Sequence, residues 1–279
     1  MVAPAVLFVA TLVAYPVGYA LYLAVTSWTP AGNDGFAGLA NFRRMLDDGV
    51  FLIAMRVTLQ LFVACLIVQT VLGTWLAFLL NKQIRGARIA RSIVLMPSII
   101  APVAAALMWL LLYDPTLGMA NFVLSTVGIS SVDWLGRPDL VVWSIALVDV
   151  WQWTPFIALI VLAGLQTVPE EPLEAAAIDG ATAWQRARYV TLPMLWPVIT
   201  VAMLLRSLDL LRFFDTVLVM TQGGPLNQST TINVYGYLQG FRFFDMSYAA
   251  ALQLALMGVV LVVAGFMARL QARSAEYAG

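Results

Sequence analysis

The chain contains no histidine and a single cysteine, Cys65. Because most catalytic metal centres and activated nucleophiles depend on histidine or cysteine, most such sites are excluded. One cysteine also leaves no disulfide framework, and Cys65 lies within an apolar segment where a buried thiol is inert. The sequence also lacks a Gly-x4-Gly-Lys-Ser/Thr run, so we find no phosphate-binding loop of the ATPase type.

Charged residues are scarce as well. They make up 11% of the chain, and hydrophobic residues make up 62%, whereas soluble domains average about 25% charged residues. The 15 acidic and 15 basic side chains cancel, and this balance gives no indication of nucleic-acid binding. No soluble segment of useful size separates the apolar runs, so we predict one membrane domain covering residues 1–279.

Long apolar runs are what the chain has instead. A helix needs roughly 20 apolar residues to cross the hydrocarbon core of a bilayer. Six segments of that size occur, at residues 1–33, 57–81, 92–113, about 140–165, about 194–220 and 246–268. The first run is long and lacks a basic start, so we expect no cleaved signal peptide. The predicted fold is therefore all-α and polytopic, with six transmembrane helices.

The basic residues predict how these spans are oriented. The loop 81–91 carries four cations and no acid, namely Lys82, Arg85, Arg88 and Arg91. Such a loop is typical of the cytoplasmic side. With an even number of spans, both termini and the polar segment 166–193 lie on that side too. Residues 34–50 and 114–139 then become external connectors.

The polar segment 166–193 separates the fourth and fifth spans. Its prolines suit the first turn of a helix, and Gly180 can supply the left-handed residue that ends one. Thr182, followed three residues later by Gln185, is typical of a capping box for a second short helix. We expect that helix to end before Pro193. Helices this short are stable only when something packs against them.

This segment resembles the EAA loop of permease subunits in ATP-binding-cassette (ABC) importers. The family pattern is Glu-Ala-Ala, three residues, Gly, nine residues, an aliphatic residue, one residue and Leu-Pro. Its positions fall here on Glu174, Ala175, Ala176, Gly180, Val190, Leu192 and Pro193. The run Ile178-Asp179-Gly180-Ala181 is similar to the carbohydrate-uptake branch, the maltose-permease-like proteins.

Further similarities to this branch extend along nearly the whole chain. They are the runs Gly38–Phe42, Trp151–Phe156 and Thr221–Pro225. The third run is typical of the first of two paired permeases, and its Gly-Gly-Pro forces a turn beyond the fifth span. That turn is either a plain connector or an external loop that contacts a solute-binding protein.

The resemblance implies a permease subunit of the bacterial cytoplasmic membrane that imports a mono- or oligosaccharide by alternating access. Its implied partners are a second homologous permease, two ABC ATPase subunits, an extracytoplasmic solute-binding protein and the lipid bilayer. ATP and Mg²⁺ would bind the ATPase subunits, so no cofactor is expected in this chain, which would not itself be an enzyme. The residues assigned to ATPase coupling are Glu174, Ala175, Ala176, Asp179, Gly180, Leu192 and Pro193.

Charges within the fifth span are a further feature. Arg206, Asp209, Arg212 and Asp215 recur every third residue with alternating sign. Each isolated charge at the bilayer centre costs about 2.5–3.5 kcal/mol, so they must pair with one another, pair with Asp149 of the fourth span, or line a wet cavity. One interpretation is a purely structural ion ladder. In the other, some members brace neighbouring helices and others face the solute.

The fourth span carries a polar and aromatic stripe. Its members, at i, i+3, i+4 and i+7 on one helix face, are Asp149, Gln152, Trp153 and Phe156. The stripe is either packing or a sugar site, because a sugar needs apolar faces together with donors and acceptors. The resemblance implies solute contact for Asp149, Trp151, Gln152 and Trp153, with Arg206 and Asp209 facing them. Ser98, between two prolines of the third span, is the remaining pathway candidate.

The charged fifth span departs from the maltose-type relatives, which are largely neutral there. This departure leaves the solute open and admits a phosphorylated polyol, such as glycerol phosphate, or another polar solute. An alternative of a different class is an intramembrane aspartyl hydrolase that uses Asp149 with Asp209 or Asp215.

Overall fold

The computed structural model describes residues 3–30, 32–81 and 87–276, and this part of the chain is mostly helical. It starts with α1 (Ala3–Ala24) and an antiparallel ribbon of β1 (Thr26–Thr29) and β2 (Gly32–Phe36). The later helices are α2 (Ala40–Asp47), α3 (Gly49–Leu80), α4 (Ala87–Ile99), α5 (Pro102–Leu112), α6 (Met119–Thr126), α7 (Val141–Leu165), α8 (Glu171–Ile178), α9 (Ala183–Arg186), α10 (Leu192–Leu210), α11 (Asp215–Met220), α12 (Ile232–Tyr237) and α13 (Met246–Glu276). Short π-helical segments follow α9 (Ala187–Thr191) and α12 (Leu238–Arg242).

Within the described residues, four helices are long and apolar enough to cross a membrane. They are α3, α7, the continuous helix Ala183–Leu210 and α13. The bent pair α4–α5 adds a fifth if it forms one span, and α1 contributes a shorter apolar helix, Phe8–Ala24. The polytopic helical fold is thereby confirmed, whereas the count of six spans stays a prediction.

The third predicted span, 92–113, is not one straight helix. α4 ends at Ile99, α5 starts at Pro102, and the two axes differ by 96°. Proline disfavours the helical conformation in the residue before it, and Ala101 is accordingly extended, with ψ 136°. The apolar run of the third predicted span is therefore divided into two helices, a break that hydrophobicity alone does not report.

The fifth predicted span, 194–220, differs at both ends. The helix Ala183–Leu210 runs through Pro193 instead of stopping before it. The π-helical segment Ala187–Thr191 ends two residues before the proline, and we attribute the continuity to this wider turn, which eases the clash between the ring and a carbonyl of the preceding turn. At its other end the helix ends at Leu210, and a separate helix, α11, begins at Asp215. The charges therefore do not form a ladder along one helix.

The first apolar run also ends early, because the chain enters the ribbon after Ala24. The sequence analysis did not predict this ribbon. The Asn41 side chain secures its start by donating to the carbonyls of Ala24 (2.9 Å) and Thr26 (3.2 Å). The Trp28 amide donates to the Ser247 hydroxyl at 2.8 Å, which attaches the ribbon to α13.

The helices α3 and α7 form the central pair of the core, and α10 packs against both. The helices α3 and α7 approach each other closely at Gly73. A Cβ added there would lie 2.9 Å from the Ile157 side chain and 3.1 Å from the Thr154 carbonyl oxygen. Small residues permit this kind of backbone approach between membrane helices. Gly164 permits a similar approach between α7 and α10, because a Cβ added there would lie 2.9 Å from the Val198 side chain.

A polar cluster joins the N-terminal ends of α3 and α13 to α12. Asp48 caps α3 through the Val50 and Phe51 amides and accepts hydrogen bonds from the Tyr235 and Tyr248 hydroxyls, both at 2.5 Å. Burial acts to raise the pKa of Asp48, but these hydrogen bonds outweigh burial and lower the pKa below its usual value. The carboxylate form of Asp48 therefore stabilises this junction.

Candidate functional site

The turn at Gly180 and the capping box predicted within the segment 166–193 are confirmed. Gly180 ends α8 in the left-handed conformation, with φ +81°. The Ala181 amide donates to the Ala176 carbonyl at 2.9 Å, which closes the turn typical of a glycine-terminated helix. The Thr182 side chain accepts from the Gln185 amide, and the Gln185 side chain accepts from the Thr182 amide. These contacts fix the angle between α8 and the next helix.

The surface around this turn is exposed and partly apolar. Ile178, Trp184 and Tyr189 are 86%, 73% and 70% exposed. A cleft of about 320 Å³ lies beside the turn, lined by Asp179, Gly180, Ala181, Gln185, Tyr189 and Val190. Among the predicted coupling residues, Glu174, Ala175, Asp179, Gly180 and Pro193 are exposed, and Ala176 and Leu192 are half-buried. Large exposed apolar side chains grouped in this way indicate a contact surface.

The predicted pathway residues of α7 and α10 meet in a buried ion pair. Arg206 is 2% exposed, and Asp149 is 1% exposed. One guanidinium nitrogen donates to both carboxylate oxygens of Asp149, at 2.7 and 2.6 Å, and another donates to Asp209. The guanidinium carbon lies 5.0 Å from the centre of the Trp153 ring, in cation–π geometry. Two predicted sets of residues on different helices are thus brought together.

Gln69 of α3 completes this network, and the sequence analysis missed it. Its amide oxygen accepts from Arg206 Nε at 2.8 Å, and its amide nitrogen donates to the Asp149 carboxylate at 2.7 Å. Gln69 has no exposed surface. The available signal was an amide near the middle of an uncharged and mainly apolar run, because a polar group at that depth needs a partner.

A small cavity of about 60 Å³, called here the pathway cavity, lies beside the network. Its lining residues are Pro102, Asp149, Trp153, Asp209, Arg212, Phe213, Phe214, Asp215 and Thr216. Asp209 is the exposed carboxylate of the network around Arg206, since 55% of its side chain is exposed. Arg206 lies immediately behind this wall, bonded to Asp149 and Asp209. The cavity therefore combines an aromatic ring with accessible carboxylate acceptors.

The other predicted pathway residues do not line this cavity. Trp151 packs edge-on against Trp109, with ring centres 5.6 Å apart. Gln152 donates to the Ile100 carbonyl at 2.8 Å and so holds the break between α4 and α5. Ser98 donates to the carbonyl of Leu95 within its own helix. Phe156 contacts the Trp153 ring edge-on at 6.2 Å.

A larger cavity of about 680 Å³ adjoins the pathway cavity and shares Phe214 and Asp215 with it. It lies between α1, α12 and α13. Its walls carry aromatic rings, including Tyr15 and Tyr237, and the amides Asn233 and Gln253. Within the described part of the chain, no group of three or more acidic, histidine or cysteine side chains could hold a metal ion.

Comparisons with known proteins agree with this architecture. Residues 69–276 match the family model described as binding-protein-dependent transport system inner membrane component. The chain is 38% identical over 229 residues to the trehalose/maltose transport system permease protein of Thermococcus litoralis, covering 82% of this chain and 76% of that protein. It is 31% identical over 284 residues to the sn-glycerol-3-phosphate transport system permease protein of Yersinia pestis, covering 99% and 94%.

A solved structure is also similar. It is the bacterial alginate ABC transporter in complex with an alginate pentasaccharide-bound periplasmic protein. One of its chains matches with a TM-score of 0.84 and 23% identity, covering 98% of this chain and 93% of that chain. At this level of identity the likeness shows the fold.

Proposed function

The chain belongs to the family of binding-protein-dependent transport system inner membrane components and is a permease subunit of an ABC importer, and we propose that its solute is a sugar. The observation that carries this proposal is the pathway cavity, in which the Trp153 ring stands beside the carboxylate of Asp209. A sugar offers apolar faces to such a ring and hydroxyl donors to such a carboxylate. The similarity to a trehalose/maltose permease supports the same solute class.

The proposed mechanism is alternating access around this cavity. Asp209 accepts a hydrogen bond from Arg206, and 55% of its side chain remains exposed. An arriving sugar would donate hydroxyl hydrogens to Asp209 and stack on Trp153. Arg206 keeps Asp149 and Gln69 as partners throughout, so binding does not leave a buried cation unpaired.

The proposed assembly contains a second homologous permease, two cytoplasmic ATPases and an external solute-binding protein. Support for an ATPase contact comes from the exposed side chains Ile178, Trp184 and Tyr189 beside the cleft at Gly180. A short helix with exposed apolar side chains suits insertion into a groove of a partner. ATP and Mg²⁺ would bind the ATPases and not this chain.

The proposed orientation places both termini and the segment 166–193 in the cytoplasm of a bacterial cell. It rests on the basic loop 81–91. Of its four cations, Lys82 and Arg85 lie outside the described residues, as does the side chain of Arg88. Arg91 is half-buried and donates to the Leu80 carbonyl at 2.9 Å, which caps the end of α3.

Uptake by a Trp153→Ala variant tests the sugar proposal. Radiolabelled trehalose and maltose serve as probes, in cells that express the complete transporter, beside assays of complex assembly and basal ATP hydrolysis. We expect uptake of a transported probe to fall about tenfold, which corresponds to losing about 1.4 kcal/mol of stacking, while assembly stays normal. Leu147→Ala is the matched control, because Leu147 lies on the same helix and is 49% exposed.

Two results would contradict the proposal. One is normal uptake by Trp153→Ala, or uptake that falls only because the complex dissociates. The other is a wild-type transporter that takes up sn-glycerol-3-phosphate and neither sugar, since the solute class would then be a phosphorylated polyol.

A further inference from the structure

The charges that line the pathway cavity do not balance. Asp149, Asp209 and Asp215 are acidic, and Arg212 is the basic lining residue. Including Arg206 behind the wall, the site holds three negative and two positive charges. The adjoining larger cavity adds no further charged residue to the shared Asp215. Both cavities therefore carry an excess of negative charge.

Arg206 is not available to a solute anion. Its Nε donates to Gln69, and its two terminal nitrogens donate to Asp149 and Asp209. The side chain is 2% exposed and lies between these acceptors. A phosphate or carboxylate could reach the guanidinium only by displacing a buried partner, which would itself become an unpaired charge. Arg206 therefore offsets part of the negative charge of Asp149 and Asp209 and does not serve as an anion site.

Arg212 does not reverse this balance. Its side chain is exposed, and its Nε donates to the Leu208 carbonyl at 3.2 Å. Two acidic members of the same wall, Asp209 and Asp215, stand three residues away on either side and are also exposed. A cleft lined by an excess of one sign and bounded by apolar walls concentrates ions of the opposite sign.

We propose that the pathway cavity excludes anionic solutes and accepts neutral or cationic ones, and that Asp209 is the residue that sets this preference. This inference depends on the proposed function only for the identity of the cavity as the solute pathway. A preference of this kind would distinguish the chain from a permease whose solute is phosphorylated, although a glycerol-3-phosphate permease is among its relatives. Asp209 would then act twice, as the acceptor for solute hydroxyls and as the charge that repels anions.

Thiol labelling measures this preference without any solute. A cysteine is placed in the cavity wall by Pro102→Cys or, separately, by Phe213→Cys, in the full chain in membrane vesicles with its transporter partners. The rates with a cationic and an anionic methanethiosulfonate of similar size are each divided by the rate with free 2-mercaptoethanol. The chain without an added cysteine is the blank, because Cys65 has no exposed surface.

We expect the cationic reagent to be favoured about tenfold or more after this normalisation. Asp209→Asn should lower the ratio at least about threefold, and Arg212→Gln should raise it. Asp139→Asn is the matched control, since Asp139 is exposed but lies outside the cavity. These opposite shifts are not expected from misfolding alone.

A normalised ratio of one or below at both positions would overturn the proposal. So would a ratio that Asp209→Asn leaves unchanged, because another group would then set the potential. The measurement requires neither sugar nor ATP. If the cavity favours the cationic reagent but the transporter moves no sugar, the sugar proposal fails and this inference stands. If the cavity favours the anionic reagent in a transporter that moves sugar, this inference fails and the sugar proposal stands.

Discussion

Removing Asp149 should destabilise the chain because it deprives a buried cation of its principal partner. Arg206 is 2% exposed and receives two carboxylate contacts from Asp149, at 2.6 and 2.7 Å. A hydrogen bond to a charged group contributes about 1.5–3 kcal/mol, and breaking a buried ion pair from one side costs about 3–5 kcal/mol. Asp209 and Gln69 still contact the guanidinium, so the lower end applies. We expect Asp149→Ala to cost about 3 kcal/mol.

The double variant Asp149→Leu with Arg206→Met should recover part of that loss. Apolar residues of similar volume remove both buried charges, and such replacements are often neutral or stabilising. The buried amide oxygen of Gln69 loses its Arg206 partner, whereas its amide nitrogen keeps the backbone carbonyl of position 149, so we expect the unfolding free energy to lie within about 2 kcal/mol of the wild type. Uptake should stay low even so, because Asp209 loses the guanidinium that orients it.

Unfolding in mixed micelles provides the measurement. The chain has nine tryptophans, so intrinsic fluorescence follows the transition as the denaturing detergent is increased. The four variants of a double-mutant cycle give the coupling energy between the two positions, and Leu147→Ala gives the baseline for an exposed site on the same helix. A cost below about 1 kcal/mol for Asp149→Ala would refute the reasoning. So would a double variant less stable than either single one.

Three further predictions concern other parts of the chain. Glu174→Lys should lower solute-stimulated ATP hydrolysis while membrane insertion stays normal, and Glu171→Lys on the same helix should not; equal effects would contradict the coupling role. Gly73→Leu should reduce the yield of folded protein, because even its Cβ would lie 2.9 Å from Ile157; normal detergent stability would show that the helices separate at little cost. The lowered pKa of Asp48 predicts stability that is complete above the unfolded-state pKa and declines as the pH falls through the folded-state value. Unfolding measured from pH 7 to pH 3 should show this decline, and Asp48→Asn should remove it.

The sequence predicted the features that depend on neighbouring residues. The turn at Gly180 and the reciprocal caps of Thr182 and Gln185 are confirmed, because these interactions close within a few residues and need no distant partner. The stripe of α7 likewise follows from helical periodicity, which turns Asp149 and Trp153 towards the same cavity. Trp151, two residues from Asp149, instead packs against Trp109.

Tertiary structure decided the features that join distant parts of the chain. Gln69 and Arg206 are 137 residues apart and meet only because α3, α7 and α10 pack around one point. The 96° bend between α4 and α5 likewise needed the structure, because proline marks a break without specifying its angle, and the Gln152 contact with Ile100 that holds it spans 52 residues. The exposure of Asp209 beside a buried Arg206 also follows from packing. Composition and periodicity place polar groups on helix faces, whereas their partners and their access to solvent depend on which faces meet.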